Sequence, residues 1–196
     1  VSKDHRVDEN GNIVNGDIDW AELSKIYEYA FTGCTNLKKI DLTNVKTITV
    51  AHYAFAGCSK LEEVVEMPSI GTMHHGAFAG TALEKVDLTG LHMSGSGVFA
   101  GCTKITEVKT GKFTAIGEYM FDGCTGLTAL ELSTPKIGKG AFRNCTNLTE
   151  VTFRSPAEGK VSFDVGAGAF ENCGTAATFT VDFGGETIRT LGERAF

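Results

Sequence analysis

One pattern of apolar and polar positions repeats along almost the whole chain. Its most regular part is Ala-Phe-x-Gly-Cys, whose Phe recurs at intervals of 21 to 28 residues. These residues are Phe31, Phe55, Phe78, Phe99, Phe121, Phe142, Phe170 and Phe196. A mostly small residue precedes each Phe, and a mostly apolar residue stands five positions before it, with Ser94 as the exception. A fixed period of this length is typical of repeat proteins, in which each unit buries its apolar side only against its neighbours.

A second run, of the form L-x-x-V-x-L, follows each motif. Examples are Leu37-Ile40-Leu42, Leu148-Val151-Phe153 and, in the second turn, Leu61-Val64-Glu66. The end of the run alternates apolar and polar residues, which predicts a half-buried strand. Strands from successive turns would lie about 4.8 Å apart in a parallel sheet. Ala-Phe-x-Gly is too short for a full helix, so we expect a single helical or 3₁₀ turn that points Phe inward.

The recurring positions of the two patterns divide the chain into an N-terminal cap and an array of repeats. Residues 25–196 form an array of about seven and a half turns, whereas residues 1–24 lack the pattern and contain the only Trp, Trp20. We expect this first segment to cap the array. The last motif stops at Phe196, so we also expect that the array is truncated there. The longest interval, 28 residues before Phe170, predicts an insertion at residues 155–160.

These units resemble the BspA-like leucine-rich-repeat family. The resemblance rests on I-x-x-x-A-F-x-G-C-x-x-L-x-x-V-x-L units such as Ile116 to Leu132, and it covers roughly residues 26–196. It implies a leucine-rich-repeat solenoid, mostly β and loop: a right-handed superhelix with a parallel β-sheet on one face and short 3₁₀ or turn segments on the other. It also implies a bacterial cell-surface or secreted protein with an adhesion role, and it supplies no catalytic residues or cofactors.

Composition excludes two classes of partner. The formal charge of −6 argues against nucleic acid, which requires a basic surface. No apolar run approaches the roughly 20 residues that cross a bilayer, so we expect no membrane insertion in this segment. The sequence also offers no glycine-rich phosphate loop and no pairing of a nucleophile with an acid or base, which disfavours an envelope enzyme.

The six cysteines share one position of the repeat, which Thr81 fills in the third turn. An even count in an exported protein suggests disulfides. However, the Cβ atoms of one column would lie near the rung spacing of about 4.8 Å, whereas a disulfide prefers about 3.8 Å. Without C-x-x-C pairs, zinc is disfavoured as well. We therefore predict a column of buried free thiols.

One column suggests a metal site. His52 and His75 each stand three residues before their Phe, and Glu28 fills that position one turn earlier, so the three could hold a transition metal. An exposed turn is the favoured interpretation, because the same column also contains Ser and Lys further along the chain.

A calcium loop is a second possibility, near the start of the chain. Asp8, Asn10, Asn12 and Asp19 fall at positions 1, 3, 5 and 12 of an EF-hand count. Because Ile13 stands where that loop requires Gly, a tight turn is favoured instead.

Charged residues alternate across the predicted sheet face, and we expect opposite charges on neighbouring rungs to pair. With two charges of the insertion, they are the candidate partner-binding residues. The set is Lys39, Asp41, Glu63, Lys85, Asp87, Glu107, Lys109, Glu158 and Lys160. The alternative is that they only keep the sheet soluble and in register.

The function predicted from these features is a non-catalytic protein-binding or adhesion module of a cell-surface or secreted protein. By analogy with the family, its partner would be a host matrix or surface protein. The alternative is a structural spacer or display segment of a longer surface protein.

Overall fold

Short parallel strands in two columns form the framework of the protein. The structure, a computed structural model, describes residues 9–11, 23–110, 115–154, 162–175 and 178–196. The strands are β1 (Lys25–Ile26), β2 (Lys39–Asp41), β3 (Ile48–Val50), β4 (Glu63–Val65), β5 (Ile70–Met73), β6 (Lys85–Asp87), β7 (Met93–Ser94), β8 (Glu107–Lys109), β9 (Ala129–Leu132), β10 (Lys136–Ile137), β11 (Glu150–Phe153), β12 (Ser162–Val165), β13 (Thr180–Asp182) and β14 (Thr187–Leu191). All observed strand pairs are parallel, which confirms the predicted leucine-rich-repeat solenoid of mostly β and loop.

The strands of the L-x-x-V-x-L run form the column we call sheet 1. It consists of three hydrogen-bonded blocks, β2-β4, β6-β8 and β9-β11-β13. In the first block Lys39, Ile40 and Asp41 lie opposite Glu63, Val64 and Val65. Alternate residues point into the core, as the period-2 pattern predicts: Ile40 is buried between exposed Lys39 and Asp41.

A second column of strands, sheet 2, was not predicted. It joins β1-β3-β5-β7 and β10-β12-β14, and Ile116 bridges to Ile137 between these groups. Its strands contain the residue five positions before most of the motif Phe residues, and Ile116 takes part through its bridge, so this position of the repeat predicts strands as well as core. The Ala-Phe-x-Gly segment that follows is a series of tight turns, in which the Cys34 N–H donates to the Phe31 carbonyl at 3.0 Å. Among the described residues there is a single 3₁₀ helix, Met67–Ser69, and it lies elsewhere in the repeat.

The Phe residues of the motif form one stacked interior column. Neighbouring rings from Phe31 to Phe196 have centroids 5.1 to 5.7 Å apart and planes inclined by no more than 11°. The inner rings, such as Phe99 and Phe121, are completely buried, whereas Phe196 at the end of the stack is 43% exposed. Fully burying one such side chain contributes about 1.5–3 kcal/mol, so this column is a principal source of stability.

The cysteines form a second interior column, and all six are free thiols, as predicted. Each thiol after the first donates a hydrogen bond to the Phe carbonyl of the preceding turn, for example Cys124 to Phe99 at 3.3 Å. Burial is complete for the four inner residues but partial for Cys34 and Cys173, which lie at the two ends of the column. Thr81 takes the same position, and its hydroxyl donates a hydrogen bond to the backbone carbonyl of Phe78.

The assignment of Glu66 to the inward end of the second-turn strand is wrong. Glu66 is exposed with a left-handed backbone (φ 55°), and the 3₁₀ helix Met67–Ser69 follows it. Met67, only 3% exposed, takes the interior place instead. An unpaired carboxylate in the core would lose its hydration, so the chain turns outward before the next apolar residue. After this turn β4 pairs with β2 alone and β6 with β8 alone, which leaves a gap in sheet 1 between β4 and β6; a second gap lies between β8 and β9.

Several predictions fall outside the described residues. These are the insertion with Glu158 and Lys160, Trp20, and Asp8, Asn12 and Asp19 of the calcium hypothesis. Part of the predicted cap is described: the Gly11 backbone lies against the Asn36 carbonyl, beside the first turn of the array.

Candidate functional site

The gap in sheet 1 between β4 and β6 opens into a cleft of about 610 Å³, which we call the charged cleft. Its lining consists of three lysines, three glutamates and one valine. These residues are Lys38, Lys39, Glu62, Glu63, Val64, Glu84 and Lys85. The alternation of strand residues places the charges of the strands on the outer face, and Glu66 with the 3₁₀ helix follows β4 where its pairing with β6 is missing. The cleft is therefore polar, and its positive and negative formal charges balance.

Ion pairs flank the charged cleft on both sides. Lys39 Nζ lies 3.1 Å from Glu63 Oε2, and Lys85 Nζ lies 3.0 Å from Glu107 Oε2. The hydrogen bond and charge of Glu107 raise the pKa of Lys85. All four side chains are at least half exposed, and exposed ion pairs contribute only about 0–1 kcal/mol to stability. These pairs can therefore open to meet a partner at little cost.

Three further charges of the cleft have no ion-pair partner among the described residues. Lys38, Glu62 and Glu84 are exposed, and the Glu62 N–H donates to the Lys38 carbonyl at 2.9 Å. As exposed charges they can meet opposite charges on another molecule. Sequence reasoning missed them because they precede the strands, where the alternating pattern does not extend. Their one sequence signal is that each stands beside a charged residue of the strand.

The other predicted residues of sheet 1 have mainly local roles. The side-chain and backbone hydrogen bonds of Thr43 lower the pKa of Asp41, whose Oδ1 accepts from the Thr43 N–H at 2.9 Å. Burial works against ionisation of Asp87, but hydrogen bonds from Thr89 and Lys109 lower its pKa overall. Both carboxylates therefore hold the turn after their strand. The structure brings Lys39, Glu63 and Lys85 together at the cleft, places Glu107 at its flank, and leaves Asp41, Asp87 and Lys109 outside its lining.

The histidines are arranged differently from the column suggested by the sequence. The His52 ring packs against His74, with centroids 4.8 Å apart, while His75 meets the edge of Tyr53 at 5.1 Å. Within the described ranges, no three His, Cys, Asp or Glu side chains gather in a group that could hold a metal ion. These aromatic residues, with the exposed Tyr27 and Tyr29, form a partly exposed row that the sequence analysis did not identify.

A groove of about 620 Å³ runs along sheet 2, with Gly95, Gly117, Gly138 and Gly166 among its lining. A Cβ atom at Gly138 would lie 2.8 Å from the backbone of the neighbouring rung, and the other three glycines have similarly close neighbours. The glycines are thus required for close packing of the rungs, which explains the groove without a ligand. Asp164 and Arg189 form an ion pair at its edge.

The inner thiols are unsuited to nucleophilic catalysis. Burial raises the pKa of Cys58 to about 12 and also raises the pKa of Cys102 and Cys124. The thiolate is the nucleophile, so protonated and buried thiols react slowly.

The stacked Phe column, the parallel rungs and the filled core define the class of the protein as a leucine-rich-repeat module. A model of the family described as BspA type leucine rich repeat region matches residues 17–94 and 90–196, with six copies. The chain therefore belongs to the BspA-type leucine-rich-repeat family.

Solved structures of bacterial leucine-rich repeat proteins have the same fold. One from T. pallidum is 28% identical with a TM-score of 0.66, covering 82% of this chain and 74% of that one. One from Eubacterium ventriosum is 22% identical with a TM-score of 0.66, covering 88% and 45%. One from Bacteroides ovatus is 19% identical with a TM-score of 0.61, covering 76% and 45%. The chain thus spans less than half the length of the last two.

No curated protein matches the chain. Among the helices of the described residues, none has the length and hydropathy to span a membrane.

Proposed function

We propose that this chain is a non-catalytic protein-binding, adhesion module of a cell-surface or secreted protein, and that the charged cleft is its contact surface. The observation that carries the proposal is the cleft itself, in which exposed charges of both signs converge where sheet 1 is interrupted. Membership of the BspA-type family supports an extracellular, adhesive role by analogy only.

The shape of the molecule favours a protein as the partner. The Phe and Cys columns fill the interior, so the described rungs offer a broad outer surface in place of the mostly apolar pocket typical of small-molecule sites. Exposed charges of both signs fit a polar protein surface of complementary pattern, where they set specificity and the rate of association more than affinity. We therefore expect a host matrix or surface protein to dock over β4 and β6.

The test is binding to a panel of purified host matrix proteins, measured by surface plasmon resonance at several salt concentrations. Exposed charges are screened over about 8 Å at physiological ionic strength, so the association rate should fall as salt rises. Reversing Lys39→Glu together with Lys85→Glu should slow association with an acidic partner, because the cleft loses two of its three cations.

The matched control is Lys46→Glu together with Lys104→Glu. Both lysines are exposed and outside the cleft, so this variant has the same net charge as the first. Equal loss of binding in the two variants would show that only overall charge matters and that the charged cleft is not the contact surface.

The second candidate is a structural spacer or display segment of a longer surface protein, which membership of the BspA-type family supports by analogy. Leu191 and Phe196 are 58% and 43% exposed although they occupy columns that are otherwise buried. A further turn stacked on this edge would cover both. Appending a copy of residues 122–142 after Phe196, which continues the repeat in register, should then raise the melting temperature, and the spacer role gains if no matrix protein binds the chain.

A further inference from the structure

A row of exposed and half-buried aromatic side chains follows sheet 2 across the first three turns, on a different part of the repeat from the charged cleft. We call it the aromatic strip. It consists of Tyr27, Tyr29, His52, Tyr53, His74 and His75. Tyr27 and Tyr29 are 70% and 56% exposed, and the other large exposed apolar residues of the described chain, Leu191 and Phe196, lie in its last turn.

The rings of the strip are held in place by one another. Tyr29 stacks on Tyr53 with centroids 5.6 Å apart and planes inclined by 11°, and Tyr53 meets the edge of His75. Tyr53 also lies over Gly76, where a Cβ atom would approach its ring to 2.5 Å. Because Tyr53 covers one face of Tyr29, the exposed surface of Tyr29 is its other ring face and its hydroxyl end. Lys25 Nζ lies 5.0 Å from the centre of the Tyr27 ring.

The backbone shows that the Tyr29 ring is not needed to build its turn. Tyr29, Tyr53 and Tyr119 occupy one left-handed position of the repeat, at φ 53–56°. Glycine takes the same position at Gly76, Gly97, Gly140 and Gly168, and Arg194 takes it in the last turn. Left-handed backbone is the natural conformation of glycine and costs a tyrosine energy. A strained tyrosine that exposes its ring therefore favours a role for the ring in binding.

The polar atoms of the strip are also available. No hydrogen bond within the described residues involves the hydroxyls of Tyr27, Tyr29 and Tyr53, or the ring nitrogens of His52 and His74. Each of these groups can donate or accept a hydrogen bond. Glu28, exposed between the two outer tyrosines, adds a carboxylate acceptor. The strip thus combines an open ring face with a set of unused hydrogen-bonding groups.

We propose that the aromatic strip binds a neutral oligosaccharide, with a pyranose ring stacked on the open face of Tyr29. A pyranose has an apolar C–H face and a rim of hydroxyl groups, which is the combination that the strip complements. A protein partner is less well matched, because protein hot spots lie in fully desolvated pockets and this strip is open. Since stacking and neutral hydrogen bonds carry the interaction, binding is insensitive to salt, unlike binding at the charged cleft.

The test uses the whole chain on an array of neutral glycans, followed by titration calorimetry with the glycan that binds. Tyr29→Gly removes the ring and leaves a residue that suits the left-handed backbone, and Tyr29→Phe keeps the ring without the hydroxyl. The matched control is Tyr119→Gly, because Tyr119 has the same backbone position but lies over Gly140 with Arg143 against its ring.

We expect Tyr29→Gly to weaken binding at least about tenfold, a loss of about 1.4 kcal/mol. Tyr29→Phe and Tyr119→Gly should bind within about threefold of the parent chain. Circular dichroism melts check that Tyr29→Gly is folded, and Tyr27→Ala provides a second variant if it is not. The proposal is overturned if no neutral glycan binds, if Tyr29→Gly and Tyr119→Gly lose binding equally, or if the strip binds a protein from which all glycans have been removed.

Discussion

The thiol of Cys145 donates a hydrogen bond of 3.2 Å to the backbone carbonyl of Phe121 in the preceding turn. The same relationship joins Cys58 to Phe31 and Cys102 to Phe78. Each cysteine therefore fills space in the core and also donates a second hydrogen bond to a carbonyl that already accepts the N–H of its own turn. This double role accounts for the recurrence of cysteine at a position where disulfide geometry is unfavourable.

Thiol reactivity tests this column. With a thiol reagent at pH 8, we expect Cys34 and Cys173 to react first, because they are partly exposed. The four inner thiols should react only on unfolding, since they are buried and burial raises the pKa of Cys58 to about 12 and also raises the pKa of Cys102 and Cys124. Denaturation without a reducing agent should release six thiols, and a lower count would reveal a disulfide.

Replacing a Phe of the column by Ala should lower the free energy of unfolding by an amount that depends on how deeply the ring is buried. Phe99→Ala or Phe121→Ala should lower the free energy of unfolding by about 3–5 kcal/mol, because each empties a fully buried ring position. Phe196→Ala, at an exposed end of the same stack, should cost about 1 kcal/mol or less. Urea titrations followed by circular dichroism measure both values. A loss below about 1 kcal/mol at Phe99 would contradict its place in the core.

Thr134 contains a buried hydroxyl without a partner. Its side chain is completely buried, and Oγ1 makes no hydrogen bond. An unsatisfied buried polar group costs about 1–3 kcal/mol, so Thr134→Val should raise the free energy of unfolding by about 1 kcal/mol. The control is Thr128→Val at an exposed position, which should change little. Destabilisation by Thr134→Val would mean that the hydroxyl has a function in the fold.

Asp164 makes part of the stability depend on pH. Hydrogen bonds from Arg189 and Thr190 lower its pKa from 3.8 to about 2. Because the pKa of Asp164 is lowered in the folded state, its ion pair with Arg189 stabilises the fold above pH 3.8. This stabilisation is lost as the pH falls towards about 2. In an NMR titration, Arg189→Gln should raise the pKa of Asp164 towards its ordinary value. Arg154→Gln, which removes a similar pair with Asp182, should leave it unchanged.

The sequence was sufficient to predict the core, because the core repeats. Phe99 and Cys102 share their environment with every equivalent residue, so periodicity alone identifies them as interior. Sheet 2 was missed because its strands are two to five residues long, and the alternation in them is too short to distinguish from a turn. Glu66 was misassigned because the pattern continued through it, whereas the cost of burying its charge moved Met67 inward.

The candidate sites were less predictable, because they lie where the repeat is broken or varied. The charged cleft depends on the gap beside Glu66. The recurring positions of the repeat predict strands, but they do not predict which neighbouring strands fail to pair. Lys39, Glu63 and Lys85 were identified from the charge alternation on the sheet face, but Glu62 and Glu84 stand outside that alternation. Tyr29 was passed over because its left-handed backbone cannot be read from a position that also admits glycine.

The left-handed turn at Glu66 also affects how the array unfolds. In a repeat protein, stability is approximately the sum of the rung stabilities and the couplings between nearest neighbours. Between the turn of β4 and the turn of β6, the two neighbouring turns share no hydrogen bonds in sheet 1. The strands β3-β5-β7 of sheet 2 and the stack of Phe rings remain continuous there. The first two turns should therefore exchange their amide protons as a cooperative unit of lower protection than the turns that follow. Because β8 and β9 are also not paired in sheet 1, the boundary at Glu66 is one of two places in the described turns where segments of the array can open separately.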